Sequence, residues 1–250
     1  MNSPLGAVPA PPLLEVQNLV VGYGQKALIR NLFFALPEPA FVAIIGHNGS
    51  GKTTLFKALL GQVPYSGSVN LAGKPVAEYT TQELAGLRAY LPQKNELQFP
   101  VTVLDLVVMG RYRLKRFFEH YSPTDYEAAQ QALAVFGVQH LAKRDINQLS
   151  GGEQQLVWLA QLLVQDAQLW LLDEPAQQLD VYHRRRLYKL LNEQVTLANR
   201  TILCITHDLE SLPRLSGYLL NLSKPEPKLE MISPETVEEN LHFLEEKPFA

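Results

Sequence analysis

A single cysteine, Cys204, stands among the 250 residues. It excludes an internal disulfide framework and fits a reducing compartment. Long apolar runs are missing as well. The densest stretches are Phe41–Ile45, Val103–Met109 (broken by Asp105) and Leu169–Leu172. A membrane-spanning helix needs about 20 mostly apolar residues. No secretory signal is visible: the first Lys or Arg is Lys26, and Pro4, Pro9, Pro11 and Pro12 interrupt the start. Residues 1–12 read as a flexible leader. An excess of positive charge is also lacking. Twenty-two Lys+Arg against 25 Asp+Glu leave a net charge of −3, so no bulk nucleic-acid footprint is present. No internal repeat or low-complexity block follows the leader.

What is present supports one large domain with a sizeable core: 46% of residues are hydrophobic and 19% are charged, unlike a disordered chain. The expected location is the cytoplasm, with any membrane role exercised through partners. Leu14–Val21 and Leu28–Leu36 read as strands, with Gly22-Tyr23-Gly24 as the turn between them. Phe41–Ile45 reads as a buried central strand and Lys52–Leu60 as a helix. Gly67–Leu71 and Arg88–Leu91 read as further strands, with a helical pattern at Thr81–Leu87 between them. From about Phe99 to Val164 the spacing turns helical, at Val101–Gly110, Thr124–Phe136 and Glu153–Val164. Strands return at Leu169–Leu172 and Thr201–Thr206, around a long helix from about Val181 to Leu197. Gly217–Leu222 is a weaker strand, and Pro234–Leu244 is a closing helix with Ser233 as N-cap. The order predicts an α/β fold: a core, a helical subdomain inserted at about 99–164, and an N-terminal antiparallel β region.

Gly46-His47-Asn48-Gly49-Ser50-Gly51-Lys52-Thr53 matches GxxxxGK[ST], after an apolar strand and before a helix. Glycines let backbone N–H groups curl around phosphate oxygens, and the helix start adds partial positive charge. Lys52 would reach the β and γ phosphates, and the Thr53 hydroxyl would ligate Mg²⁺. A second apolar strand, Leu169–Leu172, ends in Asp173-Glu174-Pro175. Asp173 at its tip suits Mg²⁺. Glu174 points to the opposite side, where a base or a water-orienting group is useful. Leu149-Ser150-Gly151-Gly152-Glu153-Gln154-Gln155 places two more glycines at a helix start, a second anion nest. One ATP does not easily use two nests of one chain; a head-to-tail pair of chains uses both.

Together these residues resemble the ATP-binding subunit of ABC transporters, from about Leu14 to Leu244, with 13–250 as the implied ATPase domain. The likeness includes Gln93 in Tyr90-Leu91-Pro92-Gln93, the Leu179-Asp180 turn, and His207 in Ile205-Thr206-His207-Asp208. The resemblance implies a P-loop NTPase core of ABC type, with ATP and Mg²⁺ as ligands. It implies nucleotide contacts at Tyr23 (stacking on adenine), Gly46, His47, Asn48, Gly49, Ser50, Gly51, Lys52, Thr53 and Thr54. From the opposite chain it implies Ser150, Gly151, Gly152 and the dimer-crossing Asp180. Thr53, Gln93 and Asp173 are the implied metal contacts; Glu174, His207, Lys52 and Gln93 are the implied catalytic set. Departures are Glu153 where Gln is commoner, Leu156 and Gln161 where Arg is usual, and Ala176 where Ser or Thr is usual. They bear on rate and dimer contacts.

Only 56 positions separate Gln93 from Leu149, too few for the coiled coil of DNA-repair relatives, and the motifs occur once. The 43 residues after His207 leave too little chain for the regulatory domain of sugar-importer subunits. The helical segment around Val101–Tyr112, with Ser122-Pro123-Thr124-Asp125, looks like subunits serving iron–siderophore, haem and cobalamin importers. Alternatives are a zinc or manganese importer, an exporter, or a non-transport ATPase acting on nucleic acid or ribosomes. Expected partners are a second copy of the chain, transmembrane permease subunits and, indirectly, a substrate-binding protein. Nucleic acid is not expected, and the chain is placed on the inner face of the cell membrane through the permease. The cluster Arg111, Arg113, Lys115 and Arg116 leaves two readings open, a membrane-partner face and a solvated surface.

Overall fold

Short strands that are apolar along their length build a sheet with two buried faces. In the computed structural model, residues 11–24, 26–95, 97–115 and 119–246 are described. The chain runs β1 (Leu14–Tyr23), β2 (Lys26–Leu36), β3 (Phe41–Ile45), α1 (Lys52–Leu59), β4 (Tyr65–Leu71), β5 (Lys74–Pro75), α2 (Thr81–Leu87) and β6 (Arg88–Leu91). Then come α3 (Val103–Met109), α4 (Pro123–Val135), α5 (Gly151–Leu163), β7 (Leu169–Asp173), α6 (Val181–Thr196), β8 (Thr201–Ile205), β9 (Gly217–Asn221), β10 (Leu229–Met231) and α7 (Pro234–Glu246).

The larger sheet has the order β10-β9-β3-β8-β7-β6, parallel except for β10 at its edge. Successive side chains face opposite ways along a strand. Phe41, Ala43, Ile45, Trp170, Leu172, Ile202 and Cys204 pack against helices α3 to α6. Val42, Ile44, Leu169, Leu171, Leu203 and Ile205 pack against α1 and the smaller antiparallel sheet, β2-β1-β4-β5. Burial on both faces explains why β3, β7 and β8 are apolar without alternation. The predicted α/β class and N-terminal antiparallel region are what the structure shows. The leader expectation lies almost wholly outside the described residues.

One expectation is corrected. Gly22 and Tyr23 are not turn residues: they pair with Ala27 and Lys26, and the strands run to the hairpin tip. A Cβ on Gly22 would sit 2.0 Å from the Lys26 carbonyl oxygen, so glycine permits the close pairing. The strand expected at Gly217–Leu222 is present as Gly217–Asn221, inside the main sheet between β3 and β10. In the basic cluster, three of the four residues are engaged within the chain. Arg111 (3.3 Å) and Lys115 pair with Asp125, and Arg113 donates to the Gln165 carbonyl; Arg116 lies outside the described residues.

Asp125 holds this subdomain together. It is 4% exposed, and its carboxylate closes the capping box at the start of α4 with Ser122. Burial opposes its charge, but bonds from Lys115, Ser122 and Arg111 outweigh that and hold it well below the usual carboxylate range. A depressed carboxylate contributes stability above its unfolded pKa, near 4, and loses it as pH falls. Asp125→Asn should therefore lower the thermal midpoint at pH 7 by roughly 3–6 °C. The gap to the unaltered chain should narrow by pH 3. A gap independent of pH would show that packing, not charge, carries the effect.

Candidate active site

The phosphate-loop segment connects β3 to α1. Gly49 and Gly51 have φ of +81° and +98°, values that L side chains rarely adopt. Lys52 folds back across the loop, its Nζ donating to the carbonyls of Gly46 (2.7 Å) and His47 (3.0 Å). Burial lowers the lysine pKa, while the charges of Glu174 and Asp173 oppose the shift. Ser50 Oγ is buried without a partner among the described residues, an orphan that a bound oxyanion or water would satisfy. Thr54 lies buried on the first turn of α1.

β7 delivers the carboxylates from the neighbouring end of the sheet. Asp173 accepts a bond from Thr53 Oγ1 at 3.1 Å across 120 residues of sequence. One hydroxyl and one carboxylate are the hard oxygen donors that suit Mg²⁺ held mainly through phosphates. No group of three or more His, Cys, Asp or Glu placed to hold a metal ion occurs among the described residues. Burial is the largest influence on Asp173 and raises its pKa; the Thr53 bond and Lys52 act against it. A raised carboxylate contributes stability below its unfolded pKa and loses it as pH rises through the folded value. Asp173→Asn should therefore raise the nucleotide-free thermal midpoint at pH 7.5 by about 2–4 °C while abolishing Mg²⁺-dependent turnover. A lower midpoint would contradict the burial argument.

Glu174 faces the other way. Its backbone sits at φ +52°, a strained value for a non-glycine residue, anchored by a bond from its N–H to the Ile205 carbonyl (3.0 Å). That geometry gives its two carboxylate oxygens separate partners. Gln93 Nε2 donates to Oε2 (3.1 Å), and His207 Nε2 lies 3.2 Å from Oε1. Gln93 also reaches Gln177 (3.4 Å). Behind this group is a recess of about 380 Å³ between Glu174, Gln177, Arg184 and His207. Thr206 holds the turn after His207, accepting from Asp208 N–H (3.0 Å) and pairing with the buried Tyr188 hydroxyl (2.7 Å).

Ser150 N-caps α5 and forms a capping box with Glu153, whose carboxylate takes bonds from Ser150 N (2.8 Å) and Oγ (2.7 Å). A Cβ on Gly151 would meet Gln178 Oε1 at 2.5 Å, so the glycines let this helix start press against the 176–180 turn. Asp180 N-caps α6, taking a bond from His183 N–H (2.8 Å) that lowers its pKa. Tyr23 ends β1 with its ring half exposed, beside Lys57 on α1, whose Nζ donates to its hydroxyl at 3.3 Å.

The four departures have structural reasons. Leu156 and Ala176 are buried in the helical-side core, where an arginine or a hydroxyl would need its own partner. Gln161 accepts from Gln165 at 2.9 Å, and Glu153 serves the capping box. Sequence reasoning missed Ser223, which bonds to His47 from 176 residues away, and Gln177 and Gln178, which touch Gln93 and Gly151. No local pattern marks them.

Residues 29–177 match the family described as ABC transporter. The chain is 39% identical over 219 residues to the hemin import ATP-binding protein HmuV of Escherichia coli O157:H7, covering 85% of this chain and 83% of that protein. It is 36% identical over 212 residues to the manganese transport system ATP-binding protein MntB of Bacillus subtilis, covering 84% and 82%. A solved transporter described as of metal-chelate type, in an inward-facing conformation, superposes with a TM-score of 0.79 at 30% identity, over 95% of this chain and 90% of that one. No helix among the described residues is long and apolar enough to cross a membrane. With the phosphate loop, the carboxylate pair and these relatives in agreement, the chain belongs to the ABC transporter family, as an ATP-binding, ATP-hydrolysing subunit of a membrane transporter.

Proposed function

We propose that this chain powers import of an iron complex, a haem or ferric siderophore, from the inner face of the cell membrane. The observation that carries the chemistry is Glu174, poised between Gln93 and His207 beside the Thr53–Asp173 pair. Lys52, the loop N–H groups and Ser50 hold the β and γ phosphates. Thr53, Asp173 and Gln93 hold Mg²⁺, which when bound neutralises charge on the phosphates. Glu174 takes the proton of a water placed in line with the γ phosphate, and His207 steadies the developing charge. Tyr23 offers its exposed face to adenine. Ser150–Gly152 have no phosphate of their own in one chain; a second copy, head to tail, brings them to the γ phosphate, with Asp180 at the crossing.

Residues 13–250 form one ATPase unit, with the helical subdomain inserted at about 99–164. The segment after Gln93 exposes Phe99, Met109 and Tyr112, apolar surface suited to a permease subunit. Closure of the two chains moves the permease through this face. The hemin-import relative and the metal-chelate-type structure support the iron-complex reading; the manganese relative supports a second one.

The test uses the chain with its permease in liposomes. Haem- or ferrisiderophore-loaded binding protein should stimulate ATPase several-fold and drive uptake. Stimulation by a manganese-loaded binding protein alone would replace the first reading with the second. Substrate moving outward would overturn both.

A further inference from the structure

We propose that Ser223 and the last turn of α7 are positioning elements for the phosphate loop, acting through His47. Three contacts make the tie. His47 N–H donates to Ser223 Oγ (2.8 Å), His47 Nδ1 lies 3.0 Å from the same oxygen, and His47 Nε2 lies 2.9 Å from the Leu244 carbonyl. A carbonyl only accepts, so Nε2 carries a hydrogen, and in the neutral ring Nδ1 is the acceptor. The Ser223 hydroxyl then donates to Nδ1 while accepting from the backbone N–H. One proton arrangement satisfies every group in this set.

Ser223 is itself held from behind. Its N–H donates to Asn221 Oδ1 (2.9 Å), and Asn221 Nδ2 donates to Asn240 Oδ1 on α7 (2.9 Å). Asn240 Nδ2 donates to Glu230 Oε2 (2.8 Å), which also accepts from Lys224 (2.9 Å). Asn221 and Asn240 are 1% and 0% exposed, so this chain of bonds is shielded from water and costly to break. It ties the second residue of the phosphate loop to the sheet end and to the C-terminal helix.

Two physical consequences favour nucleotide. A loop already held in shape loses less entropy on binding than one that must be ordered. The Leu244 carbonyl is also one of the orphan acceptors at the end of α7, where the helix carries partial negative charge. The His47 N–H covers it and so lessens the negative field at that end. The contact is close: a Cβ on Gly46 would lie 3.1 Å from Ser223 Oγ.

This inference rests on the nucleotide reading of the loop. The full-length chain is titrated with a fluorescent ATP analogue and Mg²⁺, and ATPase is measured with the permease. Ser223→Ala should raise Kd and KM about fivefold to tenfold, the worth of about one hydrogen bond, and change kcat less than twofold. Ser223→Thr, which keeps the hydroxyl, should restore most of the affinity. His47→Ala should match Ser223→Ala, and the double variant should bind no worse than the weaker single. A lowered thermal midpoint with unchanged Kd would overturn the proposal, as would effects that multiply in the double variant. His47→Ala and Ser223→Thr carry the comparison alone if Ser223→Ala does not fold. Failure of the unaltered chain to bind the analogue would instead overturn the nucleotide reading.

Discussion

Glu174→Gln should slow ATP hydrolysis by about 10²–10⁴-fold, the usual worth of a positioned general base, while leaving ATP binding intact. The exchange preserves shape. Glutamine offers one carbonyl oxygen to accept from Gln93 and one amide group that faces His207, so the contacts at 3.1 and 3.2 Å have replacements. The backbone at φ +52° is no more strained by glutamine than by glutamate. What is lost is the ability to take a proton. Removing one negative charge near the γ phosphate also eases ATP binding, so the ATP-bound pair of chains should accumulate. Single-turnover phosphate release measures the chemistry, and size-exclusion chromatography with ATP and Mg²⁺ measures the pairing. Turnover within threefold of the unaltered chain would remove Glu174 from the role of base. Slow turnover without accumulation of the pair would remove the Ser150–Gly152 contribution in trans.

Local chemistry made much of this site legible. The phosphate loop is contiguous, and its glycine spacing follows from backbone geometry that one strand and one helix already impose. The five apolar residues of β3 and the four of β7 announced a sheet buried on both faces, and Asp173 at the end of such a run is a polar group that must have a reason. Legibility ended where a partner lies far along the chain. Nothing near Arg111 or Lys115 shows that both pair with Asp125, and nothing near His47 points to Ser223. β5 and β10, two and three residues long, are edge strands whose pairing comes from their neighbours rather than from their own pattern. Gly22 reads as a turn residue because glycine serves equally where a strand must approach another closely. The departures at Leu156 and Ala176 bear on rate and dimer contacts when read in isolation; in the structure both positions are core.

Lys52→Met should weaken ATP binding by about 10²–10³-fold, the loss of two charge-assisted bonds to phosphate at roughly 1.5–3 kcal/mol each, partly compensated by the loop N–H groups. Folding should barely respond, and the reason lies in opposing terms. Lys52 is 8% exposed, and burial of its cation is already unfavourable enough to lower its pKa. Methionine removes that cost and keeps the stem packed. Against this, the Gly46 and His47 carbonyls lose the donor that spans them at 2.7 and 3.0 Å. The nucleotide-free thermal midpoint should therefore stay within about 2 °C. Lys52→Arg sharpens the argument, because it keeps the charge but replaces a compact ammonium with a planar fork too wide for the loop. It should bind ATP nearly as poorly as the methionine variant. Near-normal binding in the arginine variant would mean that charge alone, not the fit of the ammonium between the two carbonyls, governs affinity at this loop.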